Sequence, residues 1–373
     1  MLTETTKQEI REKLAAISVA MPNFRSRPAQ RVMIAEVAKT LSCCPDPGPN
    51  AGTPTPGTTI CVFQGGTGTG KSLAYSLAGM IMAKLKGKKL IISSSTIALQ
   101  EQLTTRDLPF FTSAAGIDAK IELAKGRTRY VCAYRLNQVI GDMQQIAMFS
   151  REQRARGEVD EDAVRLEIEA MAADFIAGKW DGDRDSRPAV TDEVWKSVTT
   201  DRHGCLNRSC SHFKNCAQMQ ARKRLKEASV IVANHDLLLA DLAMGGGKIL
   251  PAPNESFYII DEAHNLPEKA VSSFASSHFV NAERRSAEKL AGLSASIVDL
   301  LGGAYKDFAD RIGDEATRLE ENLRDAYSYF SGLSQLTPTT ECPRPTLEFE
   351  QSCLPEEFFE IGENIQSLSN SLQ

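Results

Sequence analysis

The sequence predicts an α/β fold that contains a parallel β-sheet. Apolar strand-like runs alternate with helical segments between residues 59 and 108, and two more runs follow near residues 229 and 257. Alternating strands and helices are typical of parallel sheets, in which helices form the crossover connections. A glycine-rich turn follows the first run and two adjacent carboxylates follow the last, which is the order expected of a nucleotide-binding domain.

The elements are predicted in chain order from periodicity and turn residues. Residues 1–41 form helices that break near residues 21–23, and residues 42–58, with five prolines and three glycines, form a surface loop. A strand, a helix, a strand and a helix then occupy Thr59–Phe63, Lys71–Lys86, residues 88–94 and Thr96–Leu108. Charged residues 109–226 interrupt this alternation; strands resume at 229–235 and 257–264, and helical periodicity follows over 281–301 and 306–332.

The composition is that of a folded globular protein, with 42% hydrophobic and 24% charged residues in a chain of 373. No segment has the roughly 18 uninterrupted apolar residues of a membrane-spanning helix. The N-terminus is charged where a signal peptide would be apolar. We therefore expect a cytoplasmic protein with no membrane partner, and the net charge of −5 does not by itself indicate nucleic-acid binding.

A phosphate-binding loop is predicted at GGTGTGKS, which has the spacing G-x4-G-K-[ST] between a strand and a helix. Glycines let backbone N–H groups surround phosphates, and the helix N-terminus favours an anion. The lysine would neutralise the β- and γ-phosphates of ATP, and the serine hydroxyl would bind Mg²⁺. The candidate cofactor-binding residues are Gly65, Gly66, Thr67, Gly68, Thr69, Gly70, Lys71 and Ser72.

An acidic pair, Asp261 and Glu262, follows directly after the last apolar run and begins the motif DEAH. Ligands bind at the carboxyl ends of parallel strands, so Asp261 is expected to hold Mg²⁺ and Glu262 to orient or deprotonate the attacking water. Such a pair could also serve only as a helix N-cap. With the phosphate loop it indicates an ATPase core, whose catalytic residues would be Lys71, Asp261 and Glu262, while His264 is the weaker candidate.

Four of the nine cysteines, Cys132, Cys205, Cys210 and Cys216, have the spacing C-x72-C-x4-C-x5-C. A cytosolic chain keeps its thiols reduced, so metal binding is favoured over a disulfide framework. The spacing suits a cubane iron–sulfur cluster better than the tight cysteine pairs of zinc sites, although it does not exclude zinc. Buried cysteines without a ligand are the remaining alternative, and His203 and His212 are expected to be bystanders.

Basic residues are concentrated around these cysteines. Residues 202–226 contain seven basic residues and no acid, and residues 120–135 contain five basic residues and one glutamate. Single-stranded DNA binds to positive grooves with aromatic side chains on which bases stack. The candidate stacking residues are Tyr130, Tyr134, Trp180, Trp195 and Phe213, each of which could instead be a core aromatic residue.

These motifs together resemble the XPD-like iron–sulfur helicases of superfamily two, and within them the bacterial DinG helicases. The likeness lies in five matches in order over residues 20–265. They are RPAQRVMI, SSSTIALQEQL, KGRTRYVC, CLNRSC with a further cysteine, and VIVANHDLL, and the phosphate loop and DEAH accompany them.

This resemblance implies a monomeric, DNA-stimulated ATPase of DNA repair that binds single-stranded or forked DNA and unwinds DNA in the 5′-to-3′ direction. It implies ATP, Mg²⁺ and a [4Fe-4S] cluster on the four cysteines as cofactors. Gln30 would contact adenine, and Ser94 and Thr96 would face the DNA backbone. The implied architecture is a RecA-like lobe in residues 1–108 and 227–265, an iron–sulfur domain in 109–226 and the beginning of a helical Arch in 266–373.

One departure from the family concerns its second motor lobe. After His264 there is neither a Ser/Thr-Ala-Thr motif nor the Q-x-x-G-R-x-x-R that carries arginine fingers. The sequence therefore suggests the N-terminal part of a helicase, with weak or absent hydrolysis by itself. The alternative is a shortened, non-catalytic DNA-binding or interaction protein, whereas a kinase-type P-loop enzyme would explain neither DEAH nor the cysteines.

Overall fold

The computed structural model describes most of the chain in two compact units, residues 1–274 and 275–373. The described residues are 2–25, 27–44, 59–66, 68–149, 161–202, 204–275, 279–301, 305–333, 347, 349 and 355–372. The predicted proline-rich loop lies largely outside them, as do Thr67 and His203. None of the described helices is long and apolar enough to cross a membrane.

A four-stranded parallel sheet forms the centre of the first unit, as the sequence predicts. Its strands are β1 (Lys89–Ser94), β2 (Ile121–Leu123), β3 (Val230–Asn234) and β4 (Ser256–Ile260), in the order β2-β3-β1-β4. Ser93 pairs with Ile260 on one side and Ala233 on the other, so the carboxyl ends of the three longer strands meet at one edge. The predicted α/β class is therefore confirmed.

Helices of the N-terminal half pack beside this sheet. They are α1 (Glu4–Ala20), α2 (Pro28–Ser42), α3 (Lys71–Leu85), α4 (Ile97–Gln102) and α5 (Leu108–Ala115), with a π-helical turn, Leu103–Asp107, between the last two. Helix α3 is buried continuously from Leu73 to Ala83. A Cβ on Gly79 would come within 2.9 Å of Leu90 and Ile259, so glycine allows α3 to approach the sheet closely.

The predicted strand Thr59–Phe63 is wrong, because the structure has no strand there. Ile60 and Val62 are 78% and 88% exposed, while Phe63 is partly buried against the main core. Strand formation requires a neighbour that accepts and donates backbone hydrogen bonds. Among the described residues β4 pairs only with β1, so this apolar segment has no strand beside it.

The cysteine-bearing region has its own helices and its own core. The helices are α6 (Ala133–Phe149), α7 (Glu161–Ile176), α8 (Asp192–Val198) and α9 (Ala217–Glu227). Trp180 and Trp195 pack edge to face at 6.2 Å between ring centroids, within a cluster that includes Met171 and Leu136. This separate cluster means that the region folds around its own apolar centre rather than extending the sheet core.

In the described parts of the chain, two further helices belong to the first unit and three α-helices to the second. Helix α10 (His235–Ala243) begins directly after β3 and is capped by the Asn234 side chain, which accepts from Leu237 N at 2.8 Å. Helix α11 (Leu266–Phe274) follows the DEAH motif. The second unit contains α12 (Val280–Leu301), α13 (Lys306–Ser331) and α14 (Phe359–Ser371). The first two agree with the predicted helical periodicity, whereas no helix was predicted for the segment that forms α14.

Candidate functional site

The phosphate loop leads directly into α3. Gly68 and Gly70 have φ angles of +74° and +81°, a region that residues with a Cβ rarely adopt. No described side chain caps the N-terminus of α3, so its first amides are directed at the loop without a protein acceptor. A helix N-terminus of this kind favours an anion, and the phosphate-binding role of the loop stays a prediction.

Gln30, on α2, forms a hydrogen bond with this loop. Its side chain is 6% exposed, and its Nε2 donates to the carbonyl oxygen of Gly70 at 3.2 Å. A Cβ on Gly70 would overlap the Gln30 amide, so glycine is required there for space as well as for backbone angle. The adenine contact implied by the resemblance remains a prediction for Gln30.

The DEAH turn brings the two predicted carboxylates to the phosphate loop. Glu262 Oε1 lies 3.0 Å from Lys71 Nζ, although 191 residues separate the two in the chain. Asp261 N donates to Ser93 O at 2.8 Å, which ties the turn to β1. Glu262 has a φ of +53°, a conformation that is strained for a residue with a side chain.

Tyr75 is a site residue that the sequence analysis missed. Tyr75 lies on α3, one turn after Lys71, and its hydroxyl donates to Asp261 Oδ2 at 3.0 Å. Burial, followed by the charge of Asp261, raises the pKa of Tyr75 far above its usual value. The phenol therefore remains protonated and donates to the carboxylate. The spacing of four residues from Lys71 was the available sequence signal, because such residues share a helix face.

His235 is a second residue that the sequence did not single out. It lies fully buried where β3 ends, and its Nδ1 is 2.7 Å from Ser93 Oγ. Burial lowers the pKa of this histidine, while the backbone of Glu262 and Asp261 acts in the opposite direction. The weaker candidate His264 is exposed, with its Nδ1 3.4 Å from Glu262 Oε2.

A cavity of about 590 Å³ opens beside the phosphate loop, in the range of nucleotide and drug sites. Its wall combines the loop and Gln30 with aromatic and basic side chains from the α1–α2 connection and from the π-helical turn. These side chains are Phe24, Arg25, Arg27, Arg106 and Phe110. The cavity thus offers cations for phosphates and apolar surface for a base, next to Ser72.

The four predicted cysteines line one smaller cavity of about 40 Å³. Cys132 precedes α6 and donates its N–H to Val198 O at 2.8 Å, and Cys216 precedes α9. Cys205 and Cys210 flank a short helical turn between them. Cysteines from two segments of the chain therefore line one cavity, and the metal-binding role given to them by their spacing stays a prediction.

The surroundings of these thiols are cationic. Arg127 Nη1 donates to Cys205 Sγ at 2.7 Å, and Asn207 N lies 3.4 Å from the same sulfur. Burial raises the pKa of Cys132. The pKa of Arg222 is lowered by burial and also by the positive charge of the neighbouring Arg127. Within the described ranges, no three His, Cys, Asp or Glu side chains are placed to hold a metal ion.

The basic region is partly neutralised by acids in the folded chain. Lys125 forms ion pairs with Asp183 and Asp185, and Arg224 Nε lies 3.5 Å from Glu122 Oε2. Other cations remain exposed at the cysteine loops and on α9: Arg208, Lys214, Lys223 and Lys226. The positive face is therefore smaller than the sequence count indicates.

Three of the five candidate stacking aromatics are core residues. Tyr130, Trp180 and Trp195 are 4%, 7% and 2% exposed, so their interpretation as platforms for bases is wrong in this structure. Trp195 Nε1 donates to Thr128 O at 2.7 Å, which also fixes that ring internally. Tyr134, a wall residue of the cysteine cavity, is only half-buried, as is Phe213.

Comparisons with known proteins agree with these motifs. Residues 186–283 match the DEAD_2 family model. Over 282 residues the chain is 40% identical to the ATP-dependent DNA helicase DinG of Photobacterium profundum, covering 74% of this chain and 38% of that protein.

Two further relatives carry the same description. The Escherichia coli (strain K12) protein is 33% identical over 273 residues, covering 72% of this chain and 36% of its own length. The Salmonella typhimurium protein is 29% identical over 385 aligned residues, covering 100% of this chain and 50% of its own. The chain thus spans half or less of the length of these curated relatives.

Proposed function

Because this chain is a relative of the DinG helicases, we propose that it is the ATP- and DNA-binding part of an ATP-dependent DNA helicase. The observation that carries the proposal is the 3.0 Å contact between Lys71 Nζ and Glu262 Oε1. It joins the phosphate loop and the DEAH turn, which supply complementary parts of a phosphoryl-transfer site. A chance glycine turn and an unrelated helix cap have no reason to meet.

The residues divide the chemistry among themselves. Lys71 would exchange its partner Glu262 for the β- and γ-phosphates of ATP, and the amides at the start of α3 would bind phosphate oxygens. The freed Glu262 carboxylate can then orient a water and accept its proton. Asp261 and Ser72 would hold Mg²⁺, which supplies charge neutralisation of the phosphates when bound.

Nucleotide binding is the direct test. Lys71→Ala should weaken Mg·ATP binding by at least about tenfold, since a lysine–phosphate contact is a charge-assisted bond. Lys84→Ala, an exposed lysine on the same helix, is the matched control and should bind like the parent chain. Calorimetric titration with ATP measures both, and an unchanged affinity for Lys71→Ala would contradict the proposal.

Measurement of ATP turnover distinguishes a working helicase motor from a protein that only binds ATP and DNA. ATP hydrolysis stimulated by single-stranded DNA, and lost in Glu262→Gln, supports a working ATPase. Weak or absent hydrolysis is expected of the N-terminal part by itself, so binding of both ligands without hydrolysis supports the shortened, non-catalytic alternative only when it persists after a second motor lobe is supplied. With such a lobe, unwinding of a substrate with a 5′ overhang but not of one with a 3′ overhang is the outcome expected from the proposed 5′-to-3′ direction.

We also propose that the four cysteines bind a [4Fe-4S] cluster. Their sulfurs border one small cavity, and Arg127 donates to Cys205, as suits thiolate ligands next to cations. Purified protein should contain iron and sulfide and absorb broadly in the visible range, and Cys205→Ser should reduce both. Cys44→Ser, outside the cavity, is the control, and colourless protein with stoichiometric zinc would overturn the assignment.

A further inference from the structure

His235 lies at the junction of three strand ends. It is the first residue of α10, after β3, and its imidazole is 0% exposed. Nδ1 lies 2.7 Å from the hydroxyl of Ser93, which is near the end of β1. Buried polar groups are normally hydrogen-bonded, yet Nε2 has no partner among the described residues.

The DEAH turn runs past this unpaired nitrogen. Ser93 pairs with Ile260 in the sheet register, and its carbonyl accepts from Asp261 N at 2.8 Å. Burial is the largest influence on the imidazole and lowers its pKa, while the backbone of Glu262 and of Asp261 opposes this shift, which places hydrogen-bond acceptors close to the ring. When the Ser93 hydroxyl donates to Nδ1, the neutral ring carries its proton on Nε2 and is a donor toward this turn.

The backbone of the turn itself is strained. Glu262 has a φ of +53° while its carboxylate pairs with Lys71. A nucleotide that binds Lys71 through its γ-phosphate removes this pairing. The strained backbone is then free to change, and carbonyl groups close to Nε2 can take the missing hydrogen bond.

We propose that His235 is a positioning residue that links the DEAH turn to the end of β1, with its Nε2 donating to the backbone of that turn once nucleotide has released Glu262 from Lys71. This inference rests on the proposed function. Ser94, whose buried hydroxyl also lacks a partner among the described residues, follows Ser93 directly. The link would therefore transmit nucleotide occupancy to the segment Ser93–Thr96, where the sequence predicts a DNA contact.

The test compares two nucleotides. Lys71 would bind both the β- and the γ-phosphate of ATP but only the β-phosphate of ADP, so ATP should displace Glu262 more completely. His235→Leu should therefore weaken Mg·ATP binding about five- to tenfold, the value of one hydrogen bond, and Mg·ADP binding by less than about twofold. His235→Gln, which retains a donor near the position of Nε2, should recover most of the ATP affinity.

Two further measurements keep the test independent of folding defects. Ser93→Ala removes the hydroxyl that sets the ring tautomer and should reduce the ratio of ATP to ADP affinity in the same direction as His235→Leu. In the parent chain, the ¹⁵N resonance of Nε2 should shift more on addition of ATP than of ADP. Leu242→Gln, at an exposed position of the same helix, should leave the ratio unchanged.

The outcomes are distinct. Equal weakening of both nucleotides by His235→Leu, with no rescue by His235→Gln, would show a purely structural histidine and overturn the inference alone. An unchanged ratio in all variants would also overturn it. Failure of the parent chain to bind Mg·ATP would overturn the proposed function and this inference with it.

Discussion

At the scale of single residues, the site depends on side chains that are not part of the predicted motifs but donate hydrogen bonds to them. Tyr75 and Gln30 contact Asp261 and Gly70, and both are almost completely buried. Buried donors of this kind fix the geometry of charged groups without taking part in the chemistry. Substitutions at these positions should therefore change ligand affinity with little change in fold.

Tyr75→Phe removes the hydroxyl that donates to Asp261. We expect a loss of about 1–2 kcal/mol in stability and a higher Mg²⁺ requirement for ATP binding, because the carboxylate loses a charge-assisted bond. Titration of nucleotide affinity against Mg²⁺ concentration measures the second effect. Tyr258→Phe is the matched control, since its buried hydroxyl has no partner among the described residues and its removal should cost little.

Gly70→Ala tests the steric requirement of the phosphate loop. The left-handed backbone angle and the overlap of the new Cβ with the Gln30 amide should together destabilise the chain by about 1–3 kcal/mol and weaken ATP binding. Gly87→Ala shares a positive φ of +60° but has open space around it, so it isolates the backbone contribution. Equal effects in thermal unfolding would contradict a role for the Gln30 contact.

At the scale of elements, the segment between α10 and β4 is organised by one buried carboxylate. Asp241 is 0% exposed and accepts from the backbone N–H groups of Gly247, Lys248 and Ile249 at 2.6–2.9 Å. Gly245, Gly246 and Gly247 all have positive φ angles, so the chain can wrap around the carboxylate. This turn sets the start of the strand that ends in the DEAH motif.

Asp241→Ala should be among the more destabilising substitutions of the first unit. Three partly buried amides lose their acceptor, which predicts a loss of about 3–5 kcal/mol in the free energy of unfolding. Chemical denaturation measures it. Asp236→Asn, an exposed acid on the same helix paired with Lys269, should change stability by less than about 1 kcal/mol, and comparable losses in both would refute the role of the buried carboxylate.

Helices and strands could be predicted from the sequence where the local pattern of apolar residues determines the secondary structure. The apolar runs of β1, β3 and β4 and the helix after Lys71 follow from periodicity, and the structure contains them. Thr59–Phe63 has the same strand-like composition, but a strand needs a partner that local sequence does not specify. The three-residue strand β2 was too short to carry a pattern.

The site was predictable to the extent that motifs have fixed spacing. The phosphate loop, the acidic pair and the four cysteines were found in this way. Lys71 lies 3.0 Å from Glu262 and the four cysteines line one cavity, while the ligands predicted for these residues stay predictions. Tyr75 was hidden because α3 is buried along its length, so no periodic contrast marks the residue. Trp180 and Trp195 were ambiguous because aromatic residues suit both a core and a base-stacking surface.

At the scale of the whole molecule, DNA binding should depend on the cations that the fold leaves exposed. Arg208 and Lys214 lie on the cysteine loops, and both are exposed. Replacing both by glutamate should weaken binding to single-stranded DNA and reduce the slope of log affinity against log salt by about 1.4, at about 0.7 per lost phosphate contact.

The control for this prediction carries the same change in net charge elsewhere. Lys39→Glu with Lys84→Glu alters two exposed lysines of the nucleotide-binding half and should leave the salt slope close to that of the parent chain. Fluorescence anisotropy with a labelled oligonucleotide at several salt concentrations measures both pairs. Equal slopes for the two double variants would show that net charge, rather than the cysteine loops, governs binding.

The edge-to-face pair of Trp180 and Trp195 has an optical consequence. The chain contains only these two tryptophans, and both lie in the apolar cluster whose members Tyr130 and Val131 also line the cysteine cavity. Indole emission therefore reports on this region and not on the sheet that carries the phosphate loop. Fluorescence would follow the melting of this region and circular dichroism that of the whole chain, so different midpoints on one sample would show that the two parts melt separately.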